Sequence, residues 1–164
     1  MLEISSLHDE RLAHLMRLAA RGFTRSLQLR LAGLDVTFGQ WIFLRILWEE
    51  DGLSQRVLST RAQLTEPTTH TALVKLEKLG YVERRNLEGN NRRQHVYLSK
   101  QGRAAKKILE PLAVEVNDVA TKGLSKREIS LLRKSLLAVV QNLASDEAFA
   151  LSEGRSVPPT RGSG

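Results

Sequence analysis

The chain has 164 residues, a formal charge of +7 and no cysteine, so disulfides, thiolate metal sites and thiol redox chemistry are excluded. No stretch approaches the roughly 18 consecutive apolar residues that a membrane-spanning helix needs, and no apolar run follows a basic N-terminal segment, so a cytoplasmic protein is expected. The length suits one compact domain with extensions.

Met1 to Ser6 are expected to fray. From His8 to Ala32 runs a helical pattern in which Leu12, Leu15, Met16, Ala19, Phe23, Leu27 and Leu31 form one stripe, ended by Gly33. So long a stripe suits a dimer interface, and residues 1–36 are assigned to it. Thr37-Phe38-Gly39-Gln40 is a capping box. It starts a helix to Glu50 that carries Trp41, Ile42, Leu44, Leu47 and Trp48 and closes at Asp51-Gly52. Apolar residues surround most of this helix, which marks it as the central core element, with both tryptophans read as core.

Ser54 caps a short helix to Arg61, with Val57, Leu58 and Ala62 on one face. After the tight link Gln63-Leu64-Thr65, a second helix has Thr65 as cap, Pro67 in its first turn and an inner stripe of Thr69, Leu73, Leu76 and Leu79, ending at Gly80. Two helices joined so closely read as a helix-turn-helix over residues 54–80. The outer face of the second, Pro67, Thr68, His70, Thr71 and Lys75, would enter a DNA major groove, with Ser54 and Gln55 at the start of the first helix as further contacts. Thr68, His70 and Thr71 are placed to read base edges, and Lys75 to meet phosphate. No Arg or Asn stands in the outer half, so direct guanine readout is expected to be weak.

The period then turns from helical to alternating. Tyr81 to Arg85 and Arg93 to Leu98 flank a polar Gly-Asn region, which is a β-hairpin over residues 81–98. Arg84, Arg85, Arg92 and Arg93 flank its tip, so it reads as a wing whose arginines meet phosphates or the minor groove. Residues 54–103 carry ten Lys and Arg against four Glu. Most of the excess charge therefore lies on this stretch, favouring an anionic polymer as partner.

Ser99 to Gly102 open another long helix to about Thr121, with Ile108, Leu109, Leu112, Val116 and Val119 in its stripe. Pro111 within it predicts a bend near residues 107–111, the alternative being two helices with a break. Ser125-Lys126-Arg127-Glu128 is a second capping box, starting a helix with Ile129, Leu132, Leu136, Val140 and Leu143 in register that runs to about Ala150. Residues 100–150 are read as C-terminal dimerisation helices. The Ser-, Pro-, Gly- and Arg-rich residues 151–164 are expected to be a disordered tail.

Residues Thr37 to Leu143 resemble the MarR family of winged-helix regulators. The family's wing motif, Asp-x-Arg, three residues, Val-x-Leu-Thr, is matched by Asn90, Arg92, Val96, Leu98 and Ser99, with Asn in place of Asp and Ser in place of Thr. Ser99 can still cap the next helix, whereas Asn90 lacks the acid that pairs with a cation in the family, so a looser wing is expected. Leu76 to Arg84 resembles the family's helix-to-strand junction. The resemblance implies a mainly α fold with a small β-hairpin (α+β), in which a winged module over residues 37–99 is flanked by dimerisation helices. It also implies a homodimer on double-stranded, pseudo-palindromic operator DNA, acting as a repressor. In the family, a small phenolic or aromatic acid binds between the dimerisation helices and the DNA module and releases the DNA. His14, Arg17, Arg21, Phe38 and Trp41 are the candidate contacts here.

Neither a P-loop, a His-Glu-x-x-His, a Gly-x-Ser-x-Gly nor a cysteine nucleophile is present, so no enzyme and no cofactor are expected. The four histidines, His8, His14, His70 and His95, fall on separate elements and form no local metal motif. Two other readings remain. One is an architectural DNA-binding protein without effector; the other is a metal-responsive regulator whose site forms across a dimer.

Overall fold

The computed structural model describes residue 7 and residues 9–87 and 90–156, with only the backbone of residues 87 and 90–93. The expected frayed start, Met1 to Ser6, and His8 lie outside the described residues, as does the tail from residue 157. The chain divides into two compact units, residues 1–120 and 121–164.

The first helix, α1 (Leu12–Leu31), begins inside the predicted span. Of its apolar stripe only Leu27 and Leu31, in the last two turns, are buried, while Leu12 is 63% and Phe23 40% exposed. The helix ends at Leu31 with Ala32 as its cap, next to the expected terminator Gly33. The positive φ falls at Asp35, 54°, which a short polar side chain tolerates. Near its end α1 is tied to a later helix of the same unit by Arg30 Nη2, 2.9 Å from Glu115 Oε1.

Thr37 starts α2 (Phe38–Glu49) with the expected reciprocal box: Thr37 N donates to Gln40 Oε1 at 2.9 Å and Gln40 N to Thr37 Oγ1 at 3.4 Å. Phe43, Leu44, Ile46 and Leu47 are buried, and α2 touches α1 and most of the elements that follow, which makes it the centre of the core. Both tryptophans are partly buried against that core, and Trp48 Nε1 donates to Gly102 O at 2.9 Å.

A strand that periodicity does not reveal comes next, β1 (Leu53–Ser54). It adds to the hairpin of β2 (Val82–Leu87) and β3 (Asn90–Leu98), giving an antiparallel sheet in the order β1-β3-β2. Leu53 faces Val96 and Ser54 faces His95. Across the hairpin Val82 pairs with Leu98 and Arg84 with Val96, and the register shifts between Asn86 and Leu87. Asp51 pins the open end of β3: its Oδ1 accepts from Gly52 N at 2.9 Å and from Leu98 N at 2.8 Å, while Oδ2 lies 2.6 Å from Arg103 Nη1.

Between β1 and β2 lie α3 (Gln55–Ala62) and α4 (Glu66–Lys78). Gln63 takes a left-handed conformation, φ 54°, and so makes the predicted link tight. After the sheet, α5 (Lys100–Ala120) runs through Pro111 as one helix, so the alternative of two helices is not adopted. Its start is locked to the segment that leads into β2. The Ser99 hydroxyl donates to Gly80 O at 2.6 Å and accepts from Gly102 N at 3.0 Å, the capping role expected of this serine. A Cβ on Gly102 would sit 2.0 Å from Tyr81 O, so a side chain is excluded there.

In the second unit, Ser125 and Glu128 form the second capping box and start α6 (Lys126–Ser152), which has no buried residue. Leu151 and Ser152, assigned by composition to the tail, are still helical. Among the described residues no helix is long and apolar enough to cross a membrane.

Candidate nucleic-acid interface

The sequence of α4 gives it two distinct faces. Thr69, Leu73 and Leu76 recur at helical spacing and are buried against the core. Pro67, Thr68, His70, Thr71 and Lys75, on the other side, are all exposed. The start is fixed by Thr65, whose hydroxyl accepts from Thr68 N at 3.4 Å, with Pro67 in the first turn, where its missing N–H costs nothing. A helix held by its inner face and capped at its start can offer its outer side chains to a groove without reorganising.

Those outer side chains are less free than their exposure suggests. Thr71 Oγ1 donates to Pro67 O at 3.0 Å, and Thr68 Oγ1 lies 2.9 Å from the cap hydroxyl of Thr65. Their methyls therefore remain the natural contact for a thymine methyl. His70 Nδ1 is 3.3 Å from Gln55 Oε1, which joins the two helices of the motif. Ser54, expected as a contact, spends its hydroxyl accepting from Val57 N as the cap of α3.

A recess of about 300 Å3 continues this face onto the start of α2, with Thr37, Gly39 and Gln40 on one wall and Thr68, Thr71 and Lys75 on the other. The positive end of the α2 dipole thus stands beside Lys75. Sequence reading did not connect these residues, because the capping box announces a helix start but not what the start faces.

The cations fall into two classes. Arg84 turns back onto α4: its Nη2 and Nε lie 2.6 and 3.0 Å from Glu77 Oε2, and its backbone N donates to Glu77 Oε1 at 3.3 Å. These bonds hold the Glu77 carboxyl below its usual range against a smaller opposing effect of burial. Arg85 pairs with Glu83 and lies over the Tyr97 ring, 5.5 Å from its centre, and the pairing with Glu83 raises its already high pKa. Arg61 pairs with Glu50 and Arg103 with Asp51. Arg56, Lys75, Lys78 and Lys100 form no ion pair with a described carboxylate and are exposed. Of these, Arg56 follows Gln55 directly and was not singled out by motif reading. The side chains of Asn90, Arg92 and Arg93, on which the expectations for the wing tip rest, lie outside the described residues.

On another side of α2 a cavity of about 670 Å3 is lined by Phe38, Trp41, Arg45, Trp48 and Arg61, among others. The rings of Phe38 and Trp41 stack with centres 6.2 Å apart and planes 20° from parallel, and the Arg45 guanidinium stands 5.8 Å from the Trp41 ring centre. Trp41 Nε1 is buried with no hydrogen-bond partner among the described residues. Of the five residues expected at an effector site, Phe38 and Trp41 come together here. His14, Arg17 and Arg21 are not part of the lining; on α1, Arg17 Nη2 is instead 3.2 Å from His14 Nδ1. Among the described residues no three His, Asp or Glu side chains gather as a metal site.

Residues 34–94, spanning α2 to the wing, match the model of the MarR family. The chain is 29% identical over 157 residues, 94% of its length and 76% of the relative, to the HTH-type transcriptional regulator TtmR of Methylorubrum extorquens. It is 32% identical over 106 residues to the HTH-type transcriptional regulator FarR of Neisseria gonorrhoeae, covering 63% of this chain and 70% of that one. The fold is also that of a MarR-family transcriptional regulator from Listeria monocytogenes solved with a 26mer DNA, with a TM-score of 0.77, 22% identity and coverage of 91% of this chain and 99% of the other. With an outward-facing recognition helix, a wing hairpin and this degree of likeness to FarR, the chain belongs to the MarR family of winged helix-turn-helix, DNA-binding transcriptional regulators.

Proposed function

We propose that the protein is a homodimeric, sequence-specific repressor acting in the cytoplasm, whose affinity for a pseudo-palindromic operator is lowered by a small aromatic acid. Residues 37–99 bind DNA, residues 1–36 and 100–150 make the dimer, and two copies of α4 enter successive major grooves about 34 Å apart. The observation that carries the reading is the outer face of α4, where Thr68, His70, Thr71 and Lys75 are exposed on a helix whose inner face is locked into the core. The Listeria protein of the same fold, solved with a 26mer DNA, supports DNA as the partner. Lys75 and the wing arginines Arg92 and Arg93 neutralise phosphate or enter the minor groove, while α4 reads bases.

The dimer is supported by apolar rows that the described chain leaves uncovered on α1 and on α6, since soluble monomers rarely expose large apolar patches. The effector reading is supported by the stacked Phe38 and Trp41, the Arg45 cation over the indole and the unpartnered Trp41 Nε1, which together suit a flat organic anion. Such a ligand releases DNA only by preferring the arrangement that does not bind it.

The test is binding to the DNA upstream of the protein's own gene against random duplex of equal length near physiological salt. A preference of several kcal/mol is expected of a regulator. Equal affinity for both, falling steeply with salt, would replace this reading by a phosphate-coating protein.

A further inference from the structure

Thr68 and Thr71 have their hydroxyls engaged with Thr65 and Pro67, so the side chain near the middle of the outer face with an unengaged ring nitrogen is His70. Its Nδ1 lies 3.3 Å from Gln55 Oε1. An amide oxygen has no hydrogen to give, so Nδ1 carries the proton in this bond. A neutral imidazole then presents Nε2 as a bare acceptor, and no described protein group is hydrogen-bonded to it. Gln55 itself is half-buried in the first turn of α3. With Gln55 Oε1 as acceptor, this contact bridges the two helices of the motif and leaves Nε2 as the ring's acceptor.

In the major groove an acceptor meets favourable partners at only two places, the exocyclic amines of adenine N6 and cytosine N4. Guanine O6 and N7 and thymine O4 are acceptors themselves. We infer that His70 is a specificity-determining residue that accepts a hydrogen bond at Nε2 from adenine N6 or cytosine N4 on one strand of each half-site, and that Gln55 positions it by fixing the ring and its tautomer. The inference rests on the regulator reading above and adds to it which strand must carry the exocyclic amine at the base pair that His70 faces.

The experiment is selection from a randomised duplex pool at about pH 8, above the range in which imidazoles generally titrate, with sequencing of the retained DNA. Because every base pair carries one such amine, acceptance at Nε2 selects the strand that bears it: at one position of each half-site wild-type protein should retain A·T and C·G over T·A and G·C, read on the contacted strand. His70→Ala should flatten that position by roughly tenfold, the worth of one well-made hydrogen bond, while the preferences at the other positions persist. Gln55→Ala should flatten the same position less, because the untethered ring can carry its proton on either nitrogen. His70→Asn, whose amide can pair with adenine, should restore the preference for adenine. A preference there for A·T over G·C in either orientation, or for purine over pyrimidine, a full set of preferences in His70→Ala, or an equal loss at every position would overturn the inference and leave the regulator reading standing. A pool from which wild-type protein enriches no sequence would overturn both.

Discussion

Helices α2 and α6 begin alike and end up in opposite environments. Each starts at a reciprocal capping box, and each carries enough apolar residues for a buried stripe. Yet α2 buries five of its 12 residues, whereas α6 buries none of its 27, with Leu137 65% and Leu143 64% exposed. Capping is local and identical in the two; packing is what differs. Because most helix stability in proteins comes from tertiary packing, α6 points beyond this chain for its cover, and a second copy is the cover proposed above.

The sharpest way to probe the contrast is to truncate one leucine on each helix. Leu44→Ala, in the middle of the core, should cost about 2–5 kcal/mol in denaturant unfolding at any protein concentration. Leu143→Ala should behave differently: its cost, about 1–2 kcal/mol for a side chain buried between copies, should appear as a melting temperature that depends on concentration and as a shift toward monomer in sedimentation. A Leu143→Ala protein that matches wild type in both measurements would leave α6 uncovered and remove the C-terminal dimer.

Next in size is the junction between sheet and α5. Gly102→Ala places a methyl 2.0 Å from Tyr81 O, and backbone is the atom that must yield. About 1–3 kcal/mol of destabilisation is expected. The loss should be local to the packed unit, so helical signal from α6 should outlast the melting of the module as followed by Trp48 fluorescence. A variant as stable as wild type would mean that the start of α5 separates easily from the Gly80-Tyr81 segment and from α2, contrary to the bonds that Ser99 and Trp48 make there.

How far the sequence could be read depends on how local each cause is. Caps at Thr37, Thr65 and Ser125, the stripe of α4 and the alternation of the hairpin are all set by neighbours a few residues apart, and they stand where periodicity puts them. The strand at Leu53 and Ser54 escaped because two residues cannot alternate; only pairing with Val96 and His95 defines it. The first helix stops just before Gly33, as its sequence implies, whereas nothing local announces the positive φ at Asp35. At the interface, sequence named which residues face outward and missed how they are held. Gln55 and His70 are 15 positions apart on different helices, and Thr37 is more than 30 positions from Lys75 across their recess. No spacing rule reaches that far.

The smallest expected effect tests the wing against the recognition helix, and it concerns an arginine that charge alone nominates for DNA. Arg84 is held to Glu77 by two guanidinium bonds, with its side chain only 17% exposed, while Lys75 has no described carboxylate partner. If the pair acts as a brace, Glu77→Gln/Arg84→Gln, which keeps the net charge, should leave the slope of log affinity against log salt unchanged while lowering affinity modestly. Lys75→Gln should reduce that slope by about one, as loss of a phosphate contact does. An equal drop in slope for the double variant would return Arg84 to the phosphate contacts. The brace also has a defined pH range. Its bonds lower the Glu77 pKa in the folded protein, so the stabilisation is present in full above the ordinary carboxylate value of 4.5 and is lost as pH falls through the lowered one. Wild type and the double variant should therefore differ in stability by a constant amount from neutrality down to about pH 5 and converge only in more acid solution. A difference that instead changed between about pH 6 and 8 would place the relevant proton on an imidazole rather than on Glu77.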